Sequence, residues 1–198
     1  MCTHPEVFVL AGPNGAGKTT VAELLLPRTL GVSRFVNADY IAKALSPYGP
    51  ESSGIAAGRV MLARMREFLN RRETFAFEST LASRSFAPFL RNASAQGYVV
   101  HVIYVSLESA DLALRRVRLR VERGGHDIPE ATVRRRYRRR IMNLFQLYQP
   151  LADGWSVWDN SGDDLVPVAR HRAGGGEPVV FDARRWALLS AQGVLDAG

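Results

Sequence analysis

The segment GPNGAGKTT at positions 12–20 combines glycines, a lysine and threonines at a spacing that suits phosphate binding. This segment fits the pattern G-x-x-x-x-G-K-[ST] of a phosphate-binding loop, or P-loop. Its glycines carry no side chain, so successive backbone N–H groups can point into one concavity that suits an anion. The predicted nucleotide-binding residues of this loop are Gly12, Asn14, Gly15, Ala16, Gly17, Lys18, Thr19 and Thr20.

Lys18 and Thr19 have the most specific predicted roles in this loop. Lys18 is expected to reach the β- and γ-phosphates of ATP or GTP, and the Thr19 hydroxyl is expected to ligate Mg²⁺. An apolar run at residues 7–11 predicts a strand before the loop, and the apolar residues after the loop predict a helix. A strand before the loop and a helix after it are the context that the motif requires. We therefore favour a P-loop over the alternative interpretation, a glycine-rich turn in which the lysine occurs by chance. A nucleoside triphosphate is therefore the first predicted partner.

Asp39 is the first of two carboxylates that follow short apolar runs. It ends a strand predicted at residues 34–39, directly after the first strand–helix unit. A kinase that phosphorylates an alcohol needs a carboxylate near the phosphates, because the acceptor hydroxyl must give up a proton. The alternative role for Asp39 is to cap the helix predicted at residues 40–45.

Glu78 is the second carboxylate, and Thr80 follows it. Glu78 could hold a Mg²⁺-bound water, or it could hydrogen-bond acceptor hydroxyls together with Thr80. The alternative is a solvated turn with no such role. Asn160 follows the last strand of the predicted sheet, so Asp39, Glu78 and Asn160 are all expected at one edge of that sheet, beside the P-loop.

Two arginine-rich segments, both predicted as helices, flank the glycine pair at residues 124–125. The first carries Arg116, Arg120 and Arg123 at helical spacing, so these three share a face. The second follows Pro129 and carries arginines around its whole surface. A helix, a glycine hinge and a second helix predict a lid over about residues 115–140, whose closure would bring guanidinium groups onto a transferred phosphoryl group. The alternative, a solvated basic surface, is expected for most of these arginines.

Strands and helices alternate along the chain, which predicts an α/β fold of the P-loop NTPase type with a five-stranded parallel sheet flanked by helices. The strands are predicted at residues 6–11, 34–39, 74–78, 98–107 and 155–159, and the helices at 18–26, 40–45, 52–72, 84–96, 109–123 and after 129. The helix at 52–72 is expected to bury Val60, Met61, Met65, Phe68 and Leu69.

The C-terminal part of the chain is predicted to form a β-hairpin and a helix. Two β runs lie at residues 165–171 and 178–182, and a helical segment follows at 184–192. We therefore expect a P-loop kinase domain over residues 1–163, with the hairpin and helix of residues 164–198 packed on the same domain.

The composition is that of a basic protein. The chain has 198 residues, a formal net charge of +7, and only two lysines among 26 basic residues. Arginine binds phosphate bidentately, so this excess suits anionic partners. A nucleic-acid groove would interleave aromatic residues with the charges, and the arginine-rich segments do little of this. We therefore favour a small-molecule hydroxyl acceptor over nucleic acid.

The location of the protein is expected to be the cytoplasm. The single cysteine, Cys2, cannot form an internal disulfide, which suits a reducing compartment. No apolar run is long enough to cross a membrane, and no secretory signal precedes the first predicted strand.

Several segments of the chain, in order, resemble the zeta-toxin-like P-loop kinases. The matching segments are GPNGAGKTT at 12–20, FVNAD at 35–39, FESTL at 77–81, GY at 97–98, RV at 120–121, GGH at 124–126, Pro129, RRY at 135–137 and WDNS at 158–161. Together they span most of the chain, in order, up to residue 162. The GGH segment is similar to the lid of a short branch of this family.

The resemblance implies a nucleotide-kinase-like fold and transfer of phosphate from ATP to a 3′-hydroxyl of UDP-N-acetylglucosamine, as in the best-known members. It also implies a small antitoxin protein that blocks the ATP site. By resemblance, Asp39 is the base for the acceptor hydroxyl. The resemblance further assigns Glu78, Thr80 and Arg123 to the acceptor, Lys18, Arg120 and Arg136 to the γ-phosphoryl, and Arg116 and Asn160 to the nucleotide.

Three functions are compatible with these features of the sequence. The first is an ATP- and Mg²⁺-dependent phosphotransferase that acts on a hydroxyl of a small molecule. The second is a polynucleotide kinase or another ATPase that binds nucleic acid. The third is a regulatory module that binds a nucleoside triphosphate and transfers nothing.

Overall fold

The central strand of the fold is β1 (Glu6–Ala11), in which every residue after Glu6 is buried. The computed structural model describes residues 4–47, 53–124 and 128–195. Cys2 and the predicted lid residues Gly125 and His126 lie outside the described residues. A strand of a parallel sheet that is covered on both faces reads as a continuous apolar run, and β1 has this pattern.

Helices and strands alternate after β1. The parallel strands that follow it are β2 (Phe35–Val36), β3 (Phe75–Ser79), β4 (Val99–Ser106) and β5 (Gly154–Asp159). The helices between them are α1 (Lys18–Arg28), α2 (Ala38–Leu45), α3 (Gly54–Asn70), α4 (Phe86–Ala95), α5 (Ala110–Glu122) and α6 (Glu130–Asn143), which continues into a π-helical turn (Leu144–Tyr148). The chain then forms β6 (Val166–His171), β7 (Val179–Val180) and α7 (Ala183–Leu195).

The described strands form one sheet in the order β2-β3-β1-β4-β5-β6-β7. The first five strands of this order are parallel, which confirms the predicted five-stranded parallel sheet, and β6 and β7 are antiparallel. β1 pairs with β3 on one side and with β4 on the other. The chain therefore leaves β1 in one direction and later returns to its other side. Ligands of open α/β sheets bind at such a switch point, outside the carboxyl ends of the strands.

The core lies on both faces of this sheet, because successive β1 side chains point in opposite directions. Val9 belongs to a buried cluster with Met65 of α3, whereas Leu10 belongs to a second cluster with Leu26 of α1. A third cluster joins Ala16 of the P-loop to α5 and α6. The P-loop is thus anchored to the arginine-rich helices by apolar contacts.

Three local predictions need correction. Val60 is 45% exposed, so its assignment to the core was wrong, although the other four predicted residues of that stripe are buried. The predicted strand at 34–39 was too long, because β2 ends at Val36 and α2 begins at Ala38. The helix α1 runs through Pro27 to Arg28, beyond its predicted end. A proline near a helix C-terminus removes only a single backbone hydrogen bond.

The C-terminal hairpin continues the main sheet. β6 pairs antiparallel with β5, and β7 pairs antiparallel with β6. From α7, the Trp186 ring stacks on Trp155 of β5 with centroids 5.4 Å apart, and it also meets Phe145 edge-on. These contacts fix α7 against the end of α6. A domain boundary at residue 163 stays a prediction.

Among the described residues, every helix is too short or too polar to cross a bilayer.

Two glycine substitutions are predicted to change stability in opposite directions. Gly12 has φ of +146°, and a Cβ at this position would lie 2.2 Å from the Val105 carbonyl oxygen of β4, whereas a Cβ at Gly58 of α3 meets nothing within 4 Å. We expect Gly12→Ala to lower the free energy of unfolding by about 2 kcal/mol or more, because backbone must move. Gly58→Ala should raise it by about 0.5–1 kcal/mol through helix propensity. Urea denaturation measures both, and wild-type stability of Gly12→Ala would contradict the close approach.

Candidate active site

The P-loop follows β1 and is enclosed by neighbouring backbone and by the Asn160 side chain. Besides the contact of Gly12 with β4, a Cβ at Gly15 would lie 2.9 Å from the Ala113 carbonyl oxygen of α5, and a Cβ at Gly17 would lie 2.8 Å from Asn160 Nδ2. Gly15 and Gly17 both have φ of +78°. Side chains at these positions would therefore clash as well as strain the backbone. The loop needs its glycines to lie this close to its neighbours.

The remaining P-loop residues differ in exposure. Ala16 is buried and its N–H donates to the Pro13 carbonyl at 3.2 Å, whereas Thr20 is exposed in the first turn of α1. Asn14 is half-buried, and its Oδ1 is buried without a hydrogen-bond partner.

Lys18 is the buried cation of the site, with only 6% exposure. Its Nζ donates to the Pro13 carbonyl at 2.9 Å and lies 3.4 Å from Glu78 Oε1. Burial lowers the pKa of Lys18, the carboxylates of Glu78 and Asp39 oppose this change, and the charge of Arg140 adds to it. A phosphate group beside Nζ would favour the charged ammonium, because an opposite charge stabilises it.

Glu78 lies at the carboxyl end of β3 and joins three elements of the site. Its Oε2 accepts hydrogen bonds from Thr19 Oγ1 at 2.7 Å and from Asn37 Nδ2 at 2.8 Å. Together with Lys18, these contacts tie Glu78 to α1 and to the start of α2. The solvated-turn alternative does not describe this carboxylate, which is only 13% exposed.

The oxygens of Thr19 and Glu78 form a donor set that suits Mg²⁺. Mg²⁺ prefers hard oxygen ligands, keeps several waters and is commonly held by one or two protein groups plus substrate phosphates. In the described parts of the chain, no group of three or more His, Cys, Asp or Glu residues could hold a metal. A magnesium ion at this edge of the sheet would thus be coordinated by the Thr19 hydroxyl, phosphate oxygens and water, and Glu78 would lie close to these ligands.

Asp39 lies in the first turn of α2 rather than at the end of a strand. Asn37 caps this helix, because its Oδ1 accepts from the N–H groups of Asp39 at 2.7 Å and Tyr40 at 3.3 Å. The alternative that Asp39 is the cap is therefore wrong. Its side chain is exposed and makes no hydrogen bond or ion pair with the described residues, yet its charge reaches Lys18.

Thr80 lies in a strained turn that follows β3. The next residue, Leu81, is fully buried with φ of +53°. Ser79 Oγ accepts from the Leu81 N–H at 3.0 Å, and Asn143 Nδ2 of α6 donates to the Leu81 carbonyl at 2.7 Å. A left-handed leucine costs about 1–3 kcal/mol and persists only where its surroundings enforce it. The direction of the chain after Glu78 is therefore fixed by α6.

Arg116 and Asn160 close the side of the P-loop next to α5. Asn160 Nδ2 donates to the Ala16 carbonyl at 2.9 Å. The Arg116 guanidinium donates to the Asn160 carbonyl at 2.6 Å and to the carbonyls of Ser161 and Gly162, each at 3.3 Å. These bonds hold the loop after β5 against the P-loop.

A basic pocket lies between α2 and α5. Its volume is about 460 Å³, and it is lined by Lys43, Arg116, Leu119, Arg120, Arg123 and Gly124. Arg120 is half-buried and Arg123 is exposed at the end of α5. Four cationic side chains around one concavity attract anions. The structure thus brings three predicted site arginines together with Lys43, which the sequence prediction did not include.

The predicted lid helices are paired with each other in this structure. Arg118 lies 3.0 Å from Glu130, and Arg134 lies 2.8 Å from Asp111 and 2.9 Å from Glu130. Because these groups are exposed, each pair adds little to stability. Arg136 is half-buried on α6 and does not line the basic pocket.

Besides Lys43, two residues near the P-loop were missed by the sequence prediction. Asn37 binds Glu78 and caps α2, and its position two residues before Asp39 at a helix start is a recognisable N-cap signal. Arg140 is fully buried and its charge reaches Lys18. No signal in the sequence separates Arg140 from the arginines that surround it on α6.

Solved structures share this fold. A chain of the AvrRxo1-ORF1:AvrRxo1-ORF2 complex with sulphate ions aligns with a TM-score of 0.74 and 17% identity, over 100% of this chain and 67% of that chain. The same complex solved with ATP gives the same values. A chain of the PezAT chromosomal toxin–antitoxin system of Streptococcus pneumoniae aligns with a TM-score of 0.65 and 14% identity, over 96% and 85% of the two chains. At these identities the likeness concerns the fold.

Sequence relatives identify the family. An uncharacterized protein of Haemophilus influenzae is 31% identical over 132 residues, which cover 67% of this chain and 92% of that protein. The model of the AAA domain family (AAA_33) matches residues 7–147, which include the P-loop, Asp39, Glu78 and all of α6. The chain therefore belongs to the AAA domain family AAA_33, and its fold is that of a P-loop kinase-like domain.

Proposed function

We propose that the protein is an ATP- and Mg²⁺-dependent phosphotransferase that moves the γ-phosphoryl group of ATP to a hydroxyl of a small molecule. The observation that carries this proposal is the exposed carboxylate of Asp39, which makes no hydrogen bond or ion pair with the described residues and lies within electrostatic reach of Lys18. A carboxylate that is free beside a phosphate-binding loop can serve as a base for an incoming hydroxyl.

In the proposed step, the acceptor oxygen attacks the γ-phosphorus in line with the bond to the β,γ-bridging oxygen. A new oxygen–phosphorus bond forms, the bond to the bridging oxygen breaks, and its electron pair leaves with ADP. The hydroxyl proton passes to an Asp39 carboxylate oxygen and then to solvent. Atoms and charge balance without any further reactant.

Lys18, Arg120 and Arg136 are proposed to stabilise the charge on the transferred group. Such positioning and electrostatic stabilisation supply most of the catalysis in phosphoryl transfer. When bound at Thr19 and the phosphates, Mg²⁺ would neutralise charge on the β- and γ-oxygens. Arg116 and Asn160, which hold the loop after β5, are proposed to form one wall of the nucleotide site.

The acceptor is proposed to carry phosphate groups of its own, as a nucleotide sugar such as UDP-N-acetylglucosamine does. Support comes from the basic pocket, where Lys43 and Arg123 lie with Arg116 and Arg120 around about 460 Å³. Glu78 and Thr80 are proposed to contact the hydroxyl-bearing part of the acceptor. An antitoxin protein is proposed as a partner because one chain of similar fold belongs to a toxin–antitoxin system.

The acceptor class can be identified by an incubation with γ-labelled ATP and Mg²⁺. We expect label to appear on a nucleotide sugar in a panel of UDP-sugars, NAD, nucleosides and oligonucleotides. Label on oligonucleotide ends, with binding that weakens steeply as salt increases, would favour a polynucleotide kinase instead. ATP binding without labelling of any acceptor, and with ADP release at the rate of hydrolysis, would favour the regulatory module.

Substitution of Asp39 by asparagine tests the proposed base. We expect transfer to fall by about 10²–10⁴-fold, because the amide cannot take the hydroxyl proton, while ATP affinity stays near wild type. Asp164→Asn, at another exposed aspartate, is the matched control and should retain full activity. Full transfer by Asp39→Asn would remove Asp39 from the mechanism.

The two lysines of the chain, Lys18 and Lys43, provide a matched pair of methionine substitutions. Lys18→Met should lower ATP affinity and transfer by about 100-fold or more, because a cation at the β- and γ-phosphates is lost. Lys43→Met should instead raise KM for the acceptor by about tenfold and leave ATP affinity unchanged, because it removes one cation of the basic pocket. Isothermal titration with ATP and steady-state kinetics separate the two effects. An unchanged KM for the acceptor would argue against a phosphate-bearing acceptor.

A further inference from the structure

Arg140 of α6 is a buried cation for which the proposed mechanism has no role. Its side chain has no exposed surface and is the largest of the fully buried side chains in the described part of the chain. Arginine is almost never fully buried unless it is paired. The surroundings of Arg140 should therefore contain a counter-ion or have room for one.

Among the residues that the structure describes, this guanidinium has only neutral partners. Arg140 Nε donates to Tyr104 Oη at 2.5 Å, Nη1 donates to the Tyr137 carbonyl at 2.6 Å, and Cζ lies 3.4 Å from the centroid of the Tyr137 ring. The Nη2 group is buried and has no hydrogen-bond partner. Among residues 4–47, 53–124 and 128–195, no carboxylate forms an ion pair with Arg140.

Tyr104 does not act as the counter-ion either. Burial raises the pKa of the Tyr104 hydroxyl to about 12, so this group stays neutral at physiological pH. A buried guanidinium with a free N–H group and no anion is costly, since desolvation of an ion is repaid only by close opposite charge and full hydrogen bonding. An anionic ligand that reached Nη2 would supply both.

The position of Arg140 indicates which ligand this is. Tyr104, which holds Nε, is the register partner of Ala11, and Ala11 is the last residue before the P-loop. Arg140 is therefore held beside the end of β1, where the P-loop begins at Gly12. Its charge also reaches Lys18, the residue expected to contact the β- and γ-phosphates. Arg140 thus lies beside the phosphate site of the P-loop, which is built for an anion.

We propose that Arg140 is a further catalytic residue, whose Nη2 donates a hydrogen bond to the terminal phosphoryl group of the nucleoside triphosphate bound in the P-loop. This inference rests on the proposed function in taking ATP as the ligand of the loop. Arg140 then binds the transferred group from the α6 side, and Lys18 binds it from α1. Because Tyr104 and Tyr137 fix the guanidinium, little side-chain entropy is lost when the phosphate binds.

Binding of a non-hydrolysable β,γ-imido analogue of ATP, compared with binding of ADP, tests this contact. In Arg140→Met, the affinity for the ATP analogue should fall by about tenfold or more, since a charge-assisted hydrogen bond is lost, while ADP affinity changes by less than about threefold. Arg138→Met, at an exposed neighbour on the same helix, is the matched control and should keep both affinities. Calorimetry with Mg²⁺ present provides both constants for each protein.

A purely structural role for Arg140 gives a different result. In that case Arg140→Met would weaken ATP-analogue and ADP binding equally or leave both unchanged, and either outcome overturns the proposal. The unliganded variant should also unfold at the same or a higher temperature than wild type if the buried charge is uncompensated without nucleotide. If Arg140→Met does not fold, Tyr104→Phe removes only the hydroxyl that holds Nε. Tyr104→Phe should also lower the affinity for the ATP analogue more than the affinity for ADP, although to a smaller extent. If the ratio of these two affinities stays at its wild-type value, the proposal is overturned.

The test of Arg140 and the test of the proposed phosphotransfer can fail independently of each other. If the wild-type protein binds the ATP analogue but labels no acceptor, the phosphotransferase proposal fails, while the difference between ATP and ADP still tests Arg140. If transfer is observed and Arg140→Met retains the wild-type preference for the triphosphate, only the role of Arg140 is lost.

Discussion

The burial of Lys18 is the constraint on which the rest of the site depends. An ammonium group that is taken out of water must be balanced by nearby charge, and burial lowers the pKa of Lys18. Glu78 supplies that charge at 3.4 Å while it also accepts hydrogen bonds from Thr19 and Asn37. One carboxylate therefore sets the positions of the P-loop lysine, the hydroxyl suited to Mg²⁺ and the cap of α2. Because Asn37 makes the cap, Asp39 in the first turn of that helix is left free of capping.

The topology of the sheet explains why these groups meet. β1 lies between β3 and β4, so the loop after β1 is beside the end of β3, which carries Glu78, and beside the backbone of β4. Gly12 permits this approach because a side chain there would lie 2.2 Å from the Val105 carbonyl oxygen. On the other side of the loop, Asn160 after β5 reaches the Ala16 carbonyl. The P-loop is thus held by three neighbouring strand ends and not by its own turn alone.

The sequence predicted the parts of the structure that depend on local patterns. Apolar runs and the glycine motif predicted five parallel strands and the loop, because both are governed by spacing along the chain. The signals were weaker where tertiary contacts decide. The place of Asp39 in α2 depends on Asn37 as the cap, and the exposure of Val60 depends on which side of α3 faces the sheet. Arg140 could not be distinguished from the other arginines of α6, since only the fold decides which of them is buried.

The arginines of α5 and α6 have different environments, and these environments separate their roles. Arg118 and Arg134 are exposed and form ion pairs with carboxylates, so their charges are largely neutralised at the surface. Arg116 is bound to backbone carbonyls, which leaves its positive charge uncompensated beside the basic pocket. Arg140 is buried, and its hydrogen-bond partners in the described part of the chain are neutral. Of these four arginines, the two at the surface are paired with carboxylates, whereas Arg116 and Arg140 have no carboxylate partner among the described residues. Positive charge that is left without a carboxylate near the P-loop matches a triphosphate and its acceptor.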